Sequence, residues 1–531
     1  MDKLAIFALF SFHIFVASFG VAKAATSSSF CSQTPYPDLC NSLSINTMSP
    51  QTKLDQTSFN VRDAALKFTL SQAQYVQKLL STMDLSSLNQ LGKSAWADCV
   101  ELYEDSIDNL NRAITSANPT KLDDAQTWLS AAIANHQTCQ NGFLDFQLSS
   151  NLQSFPFLVN STFSKHLSNS LAINKAALSA ASAHSSTQQI KGRRLLSSNG
   201  FPEWLSVGDR KLLQSSGGPT KADITVAQDG SGNYKTIAEA LAAAKGKGGR
   251  VVIYVKKGIY KENVVVTMKN IMFIGDGIDA TVVTGNKNVQ DGSTTFRSAT
   301  FAITGSGFIA RDMTFENTAG PQKHQAVALR SGSDFSVFYR CSFKGYQDTL
   351  YVYAQRQFYR DCDVYGTQDF VFGDAIVVFQ NCNFNLRRPL GNQMNTLTAQ
   401  ARTDPNENTG IIIHNSRITA ASDLKSVQGS IKSYLGRPWQ KYSRTVIMTT
   451  SIDNVIDPAG WLPWSGNFAL STLYYAEYMN SGPGAATGGR VKWGGFHILT
   501  SPAEAGKFSV GNFLAGNSWI PGTGVPFTSG L

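Results

Sequence analysis

Two aspartates stand at matching places in a repeated pattern. Asp348 lies five residues beyond Phe343, Asp369 lies five residues beyond Val364, and a glutamine precedes each aspartate. If the repeat folds into stacked coils, the two carboxylates lie about one strand spacing, about 4.8 Å, apart. Their ionisations are then coupled and the pKa of one carboxyl rises. One aspartate can therefore be a proton donor while the other stays ionised as a base or nucleophile.

Calcium binding or a solvated turn is the alternative for such a pair. Asp348 lies in the segment YQDTLY (346–351), and Asp369 begins the segment DFVFG (369–373). Calcium requires a shell of oxygen ligands, whereas these surroundings are largely aromatic. The pattern therefore favours catalysis.

Short β-rich segments after residue 222, separated by glycine and asparagine, must position this pair. Five four-residue segments share an apolar last residue, and they begin at Asp312, Arg340, Asp361, Asn381 and Asn415. Their offsets of 28, 21, 20 and 34 residues are typical of an all-β right-handed parallel β-helix with loops inserted between coils. A β-sandwich also has many short strands, but it favours hairpins and needs no side chains in register. Cys341, Cys362 and Cys382 share one repeat position, so either Cys341–Cys362 or Cys362–Cys382 can form a disulfide.

The N-terminal half has a different pattern of apolar residues. Apolar residues at spacings of three and four between residues 54 and 183 predict an all-α helical bundle. Its four cysteines allow three pairings. We favour a Cys31–Cys40 disulfide at the start of the bundle and a Cys99–Cys139 disulfide between two helices.

Residues 1–25 have the lysine, apolar run and small-residue ending of a cleaved signal peptide. A membrane anchor is the alternative, but His13 interrupts the apolar run. Apolar periodicity is lost at 186–219, which predicts an exposed linker, and Arg-basic-Leu-Leu occurs there twice, at 193–196 and 210–213. The predicted parts are therefore a signal peptide 1–25, a helical pro-domain 26–185, a processing linker 186–219 and a β-helix domain 220–531, with the mature protein secreted.

Charge divides unevenly along the chain. Residues 26–190 carry 9 Lys and Arg against 12 Asp and Glu, a balance of −3, and residues 214–531 carry 30 against 22, a balance of +8. A basic surface can attract nucleic acid, anionic lipid or an acidic polysaccharide. Export makes the polysaccharide the expected partner rather than nucleic acid, although such a charge can also simply aid solubility.

Five ordered motifs connect residues 220–531 to a known family. They are GIYKE (258–262), QAVALR (325–330), the two aspartate segments and LGRPW (435–439). This part closely resembles the pectin methylesterases, which implies hydrolysis of methyl esters of cell-wall homogalacturonan without a cofactor or metal. The resemblance implies Asp369 as nucleophile, Asp348 as acid/base, Gln325 and Gln347 as oxyanion donors, and Arg437, Trp439 and Thr295 as substrate-site residues. It also selects the Cys362–Cys382 disulfide and leaves Cys341 free.

The chemistry of these residue types agrees with the implied roles. Ester hydrolysis needs a nucleophile, a stabilised oxyanion and a proton for the departing alkoxide. Trp439 and Phe370 are predicted to stack on sugar rings, while Phe372, Trp461 and Trp464 stay open between groove and core. A serine triad lacks its Gly-x-Ser-x-Gly elbow, and no His-x-x-x-His or Cys-x-x-Cys pair predicts zinc.

The opening CSQTPYPDLC (31–40) and the helices after it resemble the invertase and pectin methylesterase inhibitor family over residues 28–185. Members of that family are four-helix bundles. The resemblance also implies that this pro-domain inhibits the enzyme until a subtilase cuts the linker. A role in folding or targeting is the alternative, and both roles can coexist. Expected partners are pectin, the processing subtilase and proteinaceous pectin methylesterase inhibitors of the cell wall or apoplast. Asn160 begins the only N-glycosylation sequon.

One rival function is that of another β-helical pectin enzyme, a lyase or a polygalacturonase, and the other is that of a non-enzymatic binding protein whose helical domain inhibits other esterases. A β-helical lyase would require clustered carboxylates that bind calcium. A polygalacturonase would be expected to contain a Gly-His-Gly motif, which is absent from this sequence. A non-enzymatic binding protein would not need the intact catalytic set. Two residues depart from the usual family pattern: Val371 replaces the commoner isoleucine, and Asp374 replaces asparagine, which adds a negative charge near the nucleophile and bears on the pH optimum.

Overall fold

The computed structural model describes residues 31–44, 54–116, 121–153, 155–159, 162–186 and 222–531. The predicted signal peptide, both basic linker sites and Asn160 lie outside these residues. Within the described ranges, no helix combines the length and the apolar character that crossing a membrane requires.

The N-terminal part is a helical bundle, as predicted. Its helices are α1 (Pro37–Ser44), α2 (Leu54–Ser81), α3 (Gln90–Thr115), α4 (Leu122–Asp145), α5 (Ser149–Gln153), α6 (Pro156–Val159) and α7 (Thr162–Ser186). The Cys99–Cys139 disulfide joins α3 to α4, and Cys31–Cys40 closes the entry to the bundle, so both predicted N-terminal disulfides are confirmed. Asn89 caps α3, because its side chain accepts a hydrogen bond from a first-turn N–H.

The C-terminal part is the predicted parallel β-helix, built from three sheets whose paired strands all run parallel. The first sheet contains β1 (Ile224–Val226), β2 (Val251–Val255), β5 (Ile271–Ile274), β8 (Ile309–Arg311), β11 (Ser336–Tyr339), β14 (Arg356–Arg360), β17 (Ile376–Gln380), β20 (Gly410–His414), β23 (Arg444–Met448), β25 (Tyr474–Tyr478) and β26 (Phe496–Ile498). The second contains β4 (Val264–Val266), β7 (Phe301–Ile303), β10 (Leu329–Ser331), β13 (Leu350–Val352), β16 (Val371–Gly373), β19 (Asn395–Gln400) and β22 (Ser433–Gly436). The third contains β3 (Gly258–Lys261), β6 (Thr281–Gly285), β9 (Thr314–Asn317), β12 (Ser342–Lys344), β15 (Asp363–Gly366), β18 (Asn383–Leu386), β21 (Arg417–Ala420) and β24 (Ser451–Ile452).

Four short helices accompany the coils: α8 (Ile237–Ala244), α9 (Ser422–Lys425), α10 (Pro502–Ala505) and α11 (Val510–Phe513). Helix α8 begins with a capping box, in which Thr236 and Glu239 satisfy each other's backbone N–H groups. Its apolar face joins the coil core. The first coil is thus covered where no preceding coil could bury it.

The core inside the coils is a column of aromatic rings. Phe338, Tyr359 and Phe379 come from successive coils, and their ring centroids lie 4.6 Å and 4.5 Å apart. All three side chains are fully buried. Each coil therefore buries its apolar face against its neighbours, which is why a repeat of this kind is stable only when stacked.

The repeat found in the sequence corresponds to one corner of the coils. Its five segments begin at Asp312, Arg340, Asp361, Asn381 and Asn415, and each of these residues has a positive φ between 48° and 58°. A left-handed residue at this corner turns the chain from the first sheet into the third. Asp and Asn adopt this conformation more readily than most residues, which explains part of the repeat.

The predicted Cys362–Cys382 disulfide is wrong, because Cys341, Cys362 and Cys382 are all free, buried thiols. Cys362 Sγ donates to the backbone oxygen of Phe338 at 3.4 Å, and Cys382 Sγ donates to that of Tyr359 at 3.6 Å. Burial raises the pKa of both thiols well above its usual value. The repeat correctly places these cysteines on neighbouring coils, but their thiols form hydrogen bonds to backbone carbonyls in the coil interior.

Candidate active site

Asp348 and Asp369 occupy the same position in consecutive coils. Each aspartate follows a strand of the third sheet. Leu350 of β13, two residues after Asp348, pairs with Val371 of β16, two residues after Asp369. Both aspartates have a left-handed backbone, with φ of 61° and 52°. The backbone N–H of Asp348 donates to the backbone oxygen of Gln368 at 3.1 Å. The second corner of the coil thus presents both carboxylates on neighbouring turns.

The Asp369 carboxylate is held by residues from the next two coils. Arg437 donates from Nε to Oδ1 at 2.8 Å and from Nη2 to Oδ2 at 2.5 Å, and Thr396 donates from Oγ1 to Oδ1 at 2.6 Å. The strand order β16–β19–β22 brings these groups together. Gly436 permits the close packing of β22, because a Cβ there would lie 2.1 Å from Thr398 Oγ1. The two-pronged guanidinium contact therefore fixes the position and orientation of the Asp369 carboxylate.

Asp348 has different electrostatic surroundings. Burial raises the pKa of Asp348 well above its ordinary value, and the charge of Asp369 raises it further. Asp145 of the helical domain adds to this rise, while Arg437 opposes it. The site therefore combines a carboxylate paired with arginine and a carboxyl group that favours the protonated form.

A cavity of about 400 Å³ lies over the two aspartates. The predicted site residues that line it are Thr295, Gln325, Gln347, Asp348, Asp369, Arg437 and Trp439. Gln393 orients Gln347, because its side-chain amide donates to Gln347 Oε1 at 3.3 Å. The side-chain N–H groups of Gln347 are then the ones left to donate into the cavity.

Only some of the aromatic residues considered for the groove lie at the cavity. Phe370 does not line the cavity, so its predicted substrate contact is wrong; its fully buried side chain packs inside the coil beside Gly366. The cavity is instead lined by Phe372, Trp439 and Trp464. Trp464 stacks on the Arg437 guanidinium, whose central carbon lies 4.2 Å from the ring centroid. Trp461, by contrast, belongs to the core.

The helical domain forms the roof of this cavity. Six residues at the end of α4 and just beyond it line the roof: Thr138, Asn141, Gly142, Leu144, Asp145 and Gln147. Asp145 accepts a hydrogen bond from the backbone N–H of Thr295 at 2.9 Å. Burial raises the pKa of Asp145 to about 6. A carboxylate of the helical domain thus occupies a position next to Asp348 and Asp369.

Ion pairs extend this contact between the domains. Arg297 Nε lies 2.5 Å from Asp98 Oδ1 and its Nη2 lies 3.0 Å from Glu101 Oε2, and Arg356 pairs with Asp124 at 2.5 Å. Burial raises the pKa of Asp98 to about 7, although Arg297 opposes the rise. Apolar residues of α3, α4 and α7 also join those of the second sheet in one buried cluster. The covering of the cavity is therefore an extensive packed interface.

Sequence reasoning missed Thr396 and Gln393, which orient Asp369 and Gln347. No local motif marks them, because they are distant in sequence and meet the site only when coils stack. Asp374, the departure noted in the sequence, does not line the cavity; Gln400 and Thr409 donate to its Oδ1 at 2.9 Å and 2.6 Å, and burial raises its pKa. Among the described residues, no group of three or more His, Cys, Asp or Glu is placed to hold a metal ion.

Comparison with known proteins agrees with both halves of the structure. The family model for pectinesterase matches residues 223–517, and the model for plant invertase/pectin methylesterase inhibitor matches residues 25–173. The chain is 54% identical to Pectinesterase 2 of Citrus sinensis over 95% of this chain and 94% of the relative. It is 52% identical to probable pectinesterase/pectinesterase inhibitor 17 of Arabidopsis thaliana over 94% of each.

Solved structures resemble the β-helix. Pectin methylesterase from carrot is 59% identical, with a TM-score of 0.58, over 59% of this chain and 100% of the carrot chain. The enzyme from Aspergillus niger, in penultimately deglycosylated form, is 29% identical, with a TM-score of 0.51, over 58% and 97%. The predicted resemblance is confirmed: this chain belongs to the pectinesterase family and carries an inhibitor-like helical domain before its β-helix.

Proposed function

We propose that this pectinesterase hydrolyses the methyl esters of homogalacturonan in the cell wall through a covalent intermediate on Asp369. The observation that carries the proposal is the asymmetry of the aspartate pair. Arg437 and Thr396 hold the Asp369 carboxylate by three hydrogen bonds, while burial and the neighbouring charge raise the pKa of Asp348. A carboxylate fixed by arginine and threonine beside a carboxyl group with a raised pKa suits a nucleophile beside a general acid.

The reaction then has two stages. An oxygen of Asp369 attacks the ester carbonyl, and the amide groups of Gln325 and Gln347 donate to the oxyanion. Asp348 gives its proton to the departing methoxide, which leaves as methanol and gives an anhydride on Asp369. Asp348, now ionised, takes a proton from water, and the resulting hydroxide equivalent attacks the anhydride. The Asp369 carboxylate is regenerated, Asp348 is protonated again, and the galacturonic acid product leaves and loses its proton to solvent as galacturonate.

An activated ester separates the two aspartates. The Asp348→Asn variant should lose about 10²- to 10⁴-fold on the methyl ester, as expected for a missing general acid. A trifluoroethyl ester needs that proton less, so single-turnover alcohol release by Asp348→Asn should largely recover. Asp369→Asn should stay inactive on both esters, because a better leaving group does not replace a nucleophile. Equal rescue of both variants would favour direct attack by water and refute the covalent route.

We further propose that the helical domain keeps the precursor inactive until the linker is cut. The end of α4 closes the cavity above the two aspartates from the solvent side, and Asp145 uses the Thr295 N–H that a substrate would meet. The two Arg-basic-Leu-Leu sites suit a processing subtilase, and proteinaceous inhibitors with the same bundle would cover the same face of the mature enzyme. The predicted signal peptide supports secretion to the apoplast.

Blocking cleavage tests this regulation. Replacing Arg193, Arg194, Arg210 and Lys211 with alanine should give an uncut precursor that releases little methanol from pectin. The matched mature form, residues 214–531, should be active. An uncut precursor as active as the mature form would show that the helical domain acts in folding or export instead.

A further inference from the structure

A second groove lies on the outer face of the third sheet, away from the cavity over the aspartates. Its volume is about 610 Å³, within the usual range for ligand sites. Its floor is a row of side chains in register on five successive strands: Glu316, Lys344, Tyr365, Asn385 and Thr419. At about 4.8 Å per strand this row is about 19 Å long. The groove therefore suits an extended chain better than a compact ligand.

Four cationic side chains line this groove, against two carboxylates. Lys344 pairs with Asp279 at 2.6 Å, and Arg387 pairs with Asp423 at 3.1 Å. Arg417 and Lys425 are exposed, and neither forms an ion pair with any carboxylate of the described residues. They are thus available to anionic groups of a ligand.

Two of the groove cations are held against aromatic rings, and one of these rings leads toward the active site. Lys344 lies over the Tyr365 ring, with Nζ 5.6 Å from the ring centroid. Arg387 stacks on Tyr346 at 3.9 Å and donates to its hydroxyl at 2.6 Å. Tyr346 precedes Gln347 of the cavity, so one corner of the coil separates the two sites. Aromatic faces beside cations suit a polymer of acidic sugar rings.

We propose that this groove binds a deesterified stretch of homogalacturonan while an esterified stretch of the same polymer occupies the active site. The proposal rests on the pectinesterase activity, since that reaction converts neutral esters into the carboxylates that Arg417 and Lys425 would bind. Product would then be retained next to the catalytic aspartates, and successive esters of one chain would meet the site.

The inhibitor-like domain gives a direct way to test the groove apart from catalysis. No described residue of that domain lines it, whereas the cavity over the aspartates is roofed. The uncut precursor carrying the four linker substitutions should therefore still bind long polygalacturonate. Binding should weaken as NaCl rises from about 50 to about 500 mM, because salt screens these exposed charges.

The decisive comparison uses two double variants of the uncut precursor. Arg417→Gln with Lys425→Gln should weaken polygalacturonate binding about five- to tenfold at low salt, the loss expected for two exposed charge contacts. Lys492→Gln with Lys507→Gln removes the same charge from exposed lysines outside the groove and should change binding less than twofold. Equal weakening by both pairs would reduce the effect to net charge and overturn the site, as would no weakening by the first pair.

The mature enzyme supplies a second readout. The Arg417→Gln and Lys425→Gln pair should raise KM on long, partly deesterified pectin and leave kcat/KM on a short methyl-esterified oligomer unchanged. Loss on both substrates would contradict a separate groove. Failure of the wild-type mature enzyme to release methanol would instead contradict the proposed activity, so the two failures are distinguishable.

Discussion

The pH at which the helical domain opens should depend on Asp145. Its carboxyl group is buried in the roof of the cavity, where burial raises its pKa from 3.8 to about 6. The charged groups that share this cavity are Asp348, Asp369 and Arg437. A carboxyl whose pKa is raised on docking binds its proton more tightly in the docked state. Docking is therefore strongest below about pH 4 and weakens as pH rises toward 6, where the effect levels off.

The size of the effect follows from the shift. About two pKa units correspond to about 3 kcal/mol, or up to about a hundredfold change in the docking equilibrium. In Asp145→Asn this contribution should vanish, because asparagine keeps an acceptor for the Thr295 N–H but does not titrate. Asp98, whose pKa is raised to about 7, and Asp348, whose pKa is raised by burial and by the charges of Asp369 and Asp145, should account for the dependence that remains.

The assay is methanol release by the uncut precursor, divided at each pH from 4 to 7 by the activity of the mature enzyme. This ratio reports the open fraction and cancels the intrinsic pH profile of catalysis. Asp145→Asn should flatten the ratio, whereas Asp108→Asn, an exposed carboxylate on neighbouring α3, should leave it unchanged. Superimposable profiles for Asp145→Asn and the parent precursor would refute the reasoning.

Three further outcomes follow from single contacts. Thr396→Val removes a hydrogen bond to the Asp369 carboxylate and should lower kcat about 10- to 100-fold, measured as methanol release, because hydrogen bonds to carboxylates contribute about 1.5 to 3 kcal/mol. Gly436→Ala places a methyl group against Thr398 Oγ1 and should lower both the melting temperature and kcat/KM of the mature enzyme; unchanged values would show that β22 can shift. Asn89→Ala removes the α3 cap and should destabilise the helical domain by about 1 kcal/mol, measured by urea unfolding.

The periodic features of this protein were determined by its sequence alone. A β-helix repeats one turn per coil, so residues at one corner recur at regular offsets, and Asp361 and Asn381 mark that corner in the amino-acid sequence. The same periodicity placed Asp348 beside Asp369, since equivalent residues of adjacent coils must lie about one strand spacing apart. The helical spacing of the N-terminal half and its cysteines likewise predicted the bundle and its two disulfides.

Orientation within a coil was decided only by the tertiary structure. Phe370 and Phe372 lie in one short segment, yet the first packs in the core and the second faces the cavity, because Phe370 still belongs to the corner that follows the left-handed Asp369, whereas Phe372 lies in β16. Cys362 and Cys382 share a repeat position, but both are free thiols that donate to backbone carbonyls and do not form a disulfide. Register specifies which backbones are adjacent, whereas side-chain direction depends on the dihedral angles of each turn.

The meeting of the two domains also required the folded structure. Asp145 has no motif that marks it as a residue of the active-site roof, and Thr396 lies 27 residues from the carboxylate that it holds. Such contacts arise from the shape of one packed surface against another, which leaves no period in the chain. Periodic packing can be predicted from the local sequence, whereas contacts between distant, irregular surfaces form only when the whole chain has folded.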